Sequence, residues 1–238
     1  MKIDPARLTT IVFDVDGTLY RQGPLRRAML LRLLGNAVTN PGAGWSTFRA
    51  LQAYRHAQEM LRDGPVEGSL AAAQLRLACE RTGLDASFVE PIVARWMEQE
   101  PLPLLSKLVT PALRTFLTTA RSRGLRLGVL SDYPATAKLE AMGLHSMFDV
   151  LVSAQDADVN CFKPHPGGLV AALRRLAAQP AQTIYVGDRP EVDGGAARAA
   201  GVPCIIIGVK GGSRGPRSEA DDWTPVSDYA ELHTLLFS

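Results

Sequence analysis

Thr10 to Phe13 is a short apolar, β-branched run that stops at Asp14, and four later segments have the same form. They are Leu125 to Leu130, Val150 to Val152, Thr183 to Val186 and Pro203 to Ile207. Between them lie stretches with helical spacing: Pro111 to Arg123, Pro134 to Met142, Gly168 to Ala178 and Gly194 to Ala200. Strands that read as unbroken apolar runs are buried on both faces, and their alternation with helices predicts a parallel sheet. The fold class is therefore α/β, with helices on both faces of the sheet.

One block breaks this rhythm. From about Pro24 to Leu105 no strand candidate appears. Helical spacing recurs over Leu25 to Leu34, Thr47 to Leu61, Leu70 to Arg81 and Ser87 to Glu98. The breakers between them are Asn40-Pro41-Gly42, Asp63-Gly64-Pro65 and Thr82-Gly83. The expectation is an inserted all-α cap over residues 22–106, with residues 1–21 and 107–238 forming the core and Pro101 to Thr110 the return linker. The most loop-like stretch is Gly211 to Arg217, rich in glycine and charge without an apolar anchor.

A chain of 238 residues suffices for one sizeable core and a smaller appendage. The net charge of only +2 argues against nucleic acid or an acidic membrane as partner. Arg121, Arg123 and Arg126 are expected to be solvated helix-end charges. Cys79, Cys161 and Cys204 show no C-x-x-C spacing, which suits a reducing compartment. The four histidines form no zinc-ligand pattern. The start of the chain lacks the apolar stretch of a signal peptide, and no run approaches the ~20 residues of a membrane span. A cytoplasmic location is expected.

Asp14 and Asp16, in FDVDGTLY, follow the first strand directly. In open parallel sheets ligands bind outside the carboxyl ends of the strands. A carboxylate there can attack an electrophile, while a second one exchanges protons with the leaving group and water. The same pair also suits a plain Asp-Gly turn. Ser131 and Asp132 follow the second strand, where a hydroxyl and helix-start N–H groups can hold a phosphate or simply cap a helix. Lys163 stands in a loop, NCFKPHPGG, and can neutralise a phosphate oxygen or stay solvated. Asp188 and Asp193, in VGDRPEVDGG, offer hard oxygen ligands for Mg²⁺, or else acids for a helix start. Taken together, each set falls just after a β-type run or at a helix start, so all reach one rim of one sheet. They supply the parts of phosphoryl transfer: nucleophile, acid/base, charge neutralisation and metal.

The order DVDGT at Asp14 to Thr18, SD at Ser131, KP at Lys163 and GDRPEVD at Asp188 resembles the four motifs of the haloacid dehalogenase-like (HAD) superfamily. The resemblance spans nearly the whole chain, with the helical block placed like that family's α-helical cap. It implies a Rossmann-like core and a Mg²⁺-dependent phosphatase acting on a small phosphorylated metabolite as a monomer or homodimer. Asp14 would be the nucleophile, and Asp16 the acid/base that lends its carbonyl oxygen to the metal. Lys163, with Ser131 and Asp132, would bind the phosphate, while Asp188 and Asp193 complete the metal site. Asp132 stands where relatives often carry Asn, and KPHPGG lacks acids common in relatives. The dehalogenases lack an acid at the place of Asp16, which argues for phosphate chemistry. A sugar phosphomutase shares every motif named. A non-catalytic phosphoacceptor module lacks so large an insertion. Nucleotide-binding glycine loops are absent from the chain.

Overall fold

The computed structural model describes residues 4–64, 66–209 and 222–238, so the segment Gly211 to Arg217 lies outside the described residues. Its strands are β1 (Thr10–Phe13), β2 (Arg126–Ser131), β3 (Val150–Ser153), β4 (Thr183–Gly187), β5 (Cys204–Ile207) and β6 (Trp223–Val226). They form one sheet in the order β3-β2-β1-β4-β5-β6, with every pairing parallel. Central β1 is buried throughout because its alternate side chains feed two cores. Ile11 and Phe13 join one, and Val12 joins the other. Phe13 meets Phe116 and Phe148 edge-on, with ring centroids 6.2 and 5.9 Å away. Burial of each such side chain contributes about 1.5–3 kcal/mol.

The sequence misses β6. It holds only four residues, includes Pro225 and is mostly half-buried, which suits an edge strand and hides its apolar signature. The other strands begin and end within about a residue of the expected runs.

The insertion between β1 and β2 contains α1 (Gln22–Thr39), α2 (Pro41–Met60), α3 (Leu70–Thr82), α4 (Ala86–Val93) and the short α5 (Leu102–Leu105). Asn40-Pro41-Gly42 is not the loop expected. Only Asn40 interrupts the helices, since Pro41 takes the first position of α2, where its missing N–H costs nothing. Gly44 lies so close to Ala37 that a Cβ there would meet the Ala37 backbone at 2.4 Å. The two helices thus form a tight hairpin. A π-helical turn, Ala94–Gln99, follows α4, and α5 occupies the stretch expected as a bare linker. Two connections join insertion and sheet side by side. Arg21 N–H donates to Leu108 O at 2.9 Å, Thr110 N–H donates to Leu19 O at 3.0 Å, and Tyr20 bridges Val109.

The remaining helices pack on the sheet: α6 (Leu113–Ser122), α7 (Thr136–Ala141), α8 (Gly167–Arg175), α9 (Gly195–Ala199) and α10 (Tyr229–Phe237). Arg121, Arg123 and Arg126 are not merely solvated. Each donates to backbone carbonyls of a neighbouring segment, namely Met147, Phe237 and Leu176 with Ala177. Among the described residues no helix is long and apolar enough to cross a membrane.

Candidate active site

Because every strand runs the same way, the residues that follow β1, β2, β3 and β4 come to one rim. β1 pairs with β2 on one side and β4 on the other, so the chain changes direction at β1, and there a crevice opens. Asp14 emerges at that point. Its Oδ2 accepts from the Thr18 hydroxyl at 3.1 Å and its Oδ1 from Lys163 Nζ at 2.5 Å.

Lys163 is buried and saturated. Its ammonium also donates to Asp193 Oδ1 at 2.7 Å and to the Tyr185 hydroxyl at 3.2 Å. Asp193 is held from both sides. Oδ1 takes Lys163 and the Tyr185 hydroxyl (3.0 Å), while Oδ2 takes the backbone N–H groups of Asp188 and Arg189 at 3.2 and 3.0 Å. A π-helical turn at Pro190–Gly194 folds Asp193 back onto its own strand end. Gly187 permits this, since a Cβ there would lie 2.4 Å from that of Asp193.

Oxygens of Asp14, Asp188 and Asp193 lie within 4.8 Å of one another. Burial pushes the Asp14 carboxyl well up; Lys163 opposes this, while Asp193, Asp188 and Asp16 add to it. Asp188 is pushed up to about 6 by burial and then by Asp193. Burial also works against the charge on Lys163, but Asp14 and Asp193 outweigh it and hold its ammonium firmly protonated. One lysine thus faces several carboxylates. The donor set suits a hard divalent cation, which would remove this surplus negative charge. Asp14 and Asp188 retain free lone pairs for it, whereas the four acceptor positions of Asp193 are filled.

Asp16 is managed separately. Lys138, on α7, contacts its two oxygens at 2.6 and 2.9 Å, and the Tyr20 hydroxyl donates to Oδ1 at 2.5 Å. Burial disfavours its charge, but Lys138 and Tyr20 outweigh burial and hold its carboxyl below the usual range.

Ser131 is buried at the end of β2. Asp132 lines the crevice beside Lys163, whose backbone N–H lies 3.4 Å from its Oδ1. Its Oδ2 accepts from Gln58 and pairs with Arg62, both at 2.9 Å, and Arg62 also donates to Lys163 O at 2.5 Å. The Arg62 guanidinium and the Gln58 amide offset its negative charge. Glu59 extends this contact through Arg62 at 2.9 Å and Arg189 at 3.7 Å. Thr18, Tyr20, Arg62, Lys138 and Tyr185 carry no motif signal beyond Thr18's place in DVDGT, because tertiary packing alone brings them here.

Gly17 gives the site a sharp test. Its φ is +104°, and a Cβ on it would lie 2.1 Å from Asp188 Oδ2. Gly17→Ala is expected to push Asp188 aside and to strain the turn by roughly 1–3 kcal/mol. Thermal melts with and without Mg²⁺ should show a lower melting temperature and a smaller response to the ion. A wild-type melt with a wild-type metal response would refute this account of the turn.

An open α/β enzyme with an aspartate cluster at the strand ends is defined by these features. The chain belongs to the haloacid dehalogenase-like hydrolases, whose family model matches residues 8–201. Phosphoglycolate phosphatase of Rhodospirillum rubrum is 29% identical over 95% of this chain and 90% of that protein. Glyceraldehyde 3-phosphate phosphatase of Methanopyrus kandleri is 28% identical over 84% of each. A HAD phosphatase from Thermococcus onnurineus shares the fold with a TM-score of 0.59 at 24% identity, covering 97% of this chain and 98% of its own. So does a 2-haloacid dehalogenase from Pseudomonas syringae pv. Tomato, with a TM-score of 0.66 at 20% identity over 96% and 98%.

Proposed function

We propose that this hydrolase of phosphoric monoesters works through an aspartyl-phosphate on Asp14, with Mg²⁺ as cofactor. The observation that carries the reading is the buried Asp14 carboxylate, fixed between Thr18 and Lys163 with Asp188 and Asp193 alongside. Asp14, Asp188 and the Asp16 carbonyl would hold the ion, and Asp193, whose oxygens are already engaged, would steady Lys163 behind them. Bound there, Mg²⁺ supplies Lewis-acid polarisation of the phosphoryl oxygens.

Asp14 attacks phosphorus while Lys163 and the Ser131 hydroxyl take up charge on the transferring group. Asp16 rests as a carboxylate against Lys138; once protonated it gives that proton to the departing oxygen, and as carboxylate it then takes one from the water that cleaves the acyl-phosphate. Residues 22–106 act as the cap that excludes other water, with Asp132 and Arg62 holding it to the core. The similar phosphoglycolate and glyceraldehyde 3-phosphate phosphatases favour a small phosphorylated metabolite as substrate and water as final acceptor. Unpaired Cys79, Cys161 and Cys204 support a reducing compartment, and we place the enzyme in the cytoplasm.

The test pairs turnover of an aryl phosphate with thermal melts. Turnover should require Mg²⁺ and stop in EDTA. The ion at about a hundredfold excess over its Kd should stabilise the fold by about 2.7 kcal/mol, which raises Tm by roughly 5–10 °C. Full turnover in EDTA, with a melt indifferent to Mg²⁺, would defeat the assignment.

A further inference from the structure

The crevice between the insertion and the sheet encloses about 840 Å³, within the range of roughly 300–1,000 Å³ typical of small-molecule sites. Most of the cations that line it already have partners. Lys163 is bound to Asp14 and Asp193, Lys138 to Asp16, Arg62 to Asp132 and Glu59, and Arg189 to Glu59 and Glu191. Arg26 and Arg55 also line the crevice, yet neither forms a hydrogen bond or ion pair among the described residues. Glu98 and Asp188 line the same space without an ion pair, and Asp188 belongs to the aspartate cluster beside Asp14, so the two arginines are the crevice cations left for a ligand.

The two arginines are placed together by the helical hairpin. Arg26 on α1 and Arg55 on α2 stand at nearly equal separations from Asn40, and each lies on the stripe of its helix that faces the crevice. From Arg62, in the turn that continues α2 and touching the Lys163 carbonyl, that stripe climbs through Gln58 to Arg55, two turns or about 10 Å along the axis. Arg26 stands one turn into α1, close enough that its charge is felt at the Tyr20 hydroxyl beside Asp16. Further out the walls turn apolar, with Met29, Leu33, Phe48 and Leu51. His56 and Arg49, the other basic residues of this helix, are spent elsewhere or turned away. Arg49 donates to Thr82 O within the insertion, and His56 is exposed outside the lining.

We infer that Arg26 and Arg55 form a second anion site, so that the substrate is a phosphomonoester carrying another anionic group beyond its ester oxygen. The inference rests on the phosphatase reading. With phosphorus at Asp14, the leaving group must extend past Asp16 toward the insertion, because the sheet closes the other side. A carboxylate, sulfonate or second phosphate on that group reaches the level of the two guanidinium groups, which bind such oxygens through paired N–H donors.

The test compares 4-carboxyphenyl phosphate with its neutral isostere, 4-carbamoylphenyl phosphate, in the wild type, in Arg26→Gln and Arg55→Gln, and in the double variant. The wild type should favour the carboxylate in kcat/KM by about tenfold or more, as expected of a charge-assisted contact, with the difference mainly in KM. That ratio should drop in each single variant and fall to about one in the double variant. Added salt should shrink the wild-type ratio, since both side chains are exposed. Thermal melts confirm that the variants fold. A wild-type ratio near one, or a preference that survives in the double variant, overturns the second site while leaving the phosphatase reading intact. Failure to hydrolyse either ester under any metal condition overturns the phosphatase reading, and the inference with it.

Discussion

Asp14→Asn should show no measurable turnover and no phosphorylated protein. The amide is nearly isosteric, so Thr18 and Lys163 keep a partner of the same shape, but its oxygen is too weak a nucleophile to form an acyl-phosphate. The loss is therefore of the reaction itself, since no other carboxylate takes Asp14's place: Asp193 is locked into four hydrogen bonds, and Asp188 stands across the aspartate cluster. Asp16→Asn should behave differently. It removes proton transfer, worth roughly 10²–10⁴-fold in rate, and should recover most with acidic leaving groups in the phosphorylation step. Rapid-quench detection of phosphoenzyme separates the two, with thermal melts as the folding control. Phosphoenzyme in the Asp14 variant would remove that residue from its role, and wild-type turnover by the Asp16 variant would do the same for Asp16.

Lys163→Met should damage both the fold and the chemistry. The lysine is buried, and its removal leaves Asp14 and Asp193 facing each other without a cation. Breaking such a buried pair costs about 3–5 kcal/mol. The rate should fall by at least roughly 10²–10³, as when a fixed electrostatic donor is taken from a transferring group. The pH dependence of the damage has a definite sign. Without Lys163 the buried Asp14 carboxyl loses the cation that opposes its upward shift, so it titrates still higher in the folded than in the unfolded protein. Groups of that kind favour the fold at low pH and lose that contribution as pH rises through their folded pKa. In metal-free buffer the deficit relative to wild type should thus be largest near neutrality and shrink toward acid. Arg should not substitute, because its planar fork is too large for the slot between Asp14, Asp193 and Tyr185. A deficit that grew toward acid would sink this account of the lysine.

Much of this was legible in the residues. Unbroken apolar runs ending in acid marked β1 and β4, and the parallel pairing followed from the helices between them. Asp14, Lys163, Asp188 and Asp193 were readable as one site because parallel strands deliver their ends to a common rim. Less visible was whatever depends on distant packing. Lys138 is one lysine in a short helix, and only the fold turns it onto Asp16. Tyr185 reads as an ordinary strand residue until its hydroxyl is found bridging Lys163 and Asp193. The partners of Asp132, Gln58 and Arg62, are far away along the chain and could not be read from its neighbour Ser131. Proline and glycine at Pro41 and Gly42 looked like punctuation, yet helices admit both at their first turn.

The paired connections between insertion and sheet have a mechanical consequence. Two hydrogen bonds and the Tyr20–Val109 bridge tie the outgoing and returning segments into a ribbon, which bends across its face far more easily than it twists or shears. Tyr20 belongs to that ribbon and also donates to Asp16, so the ribbon and that carboxylate are joined directly.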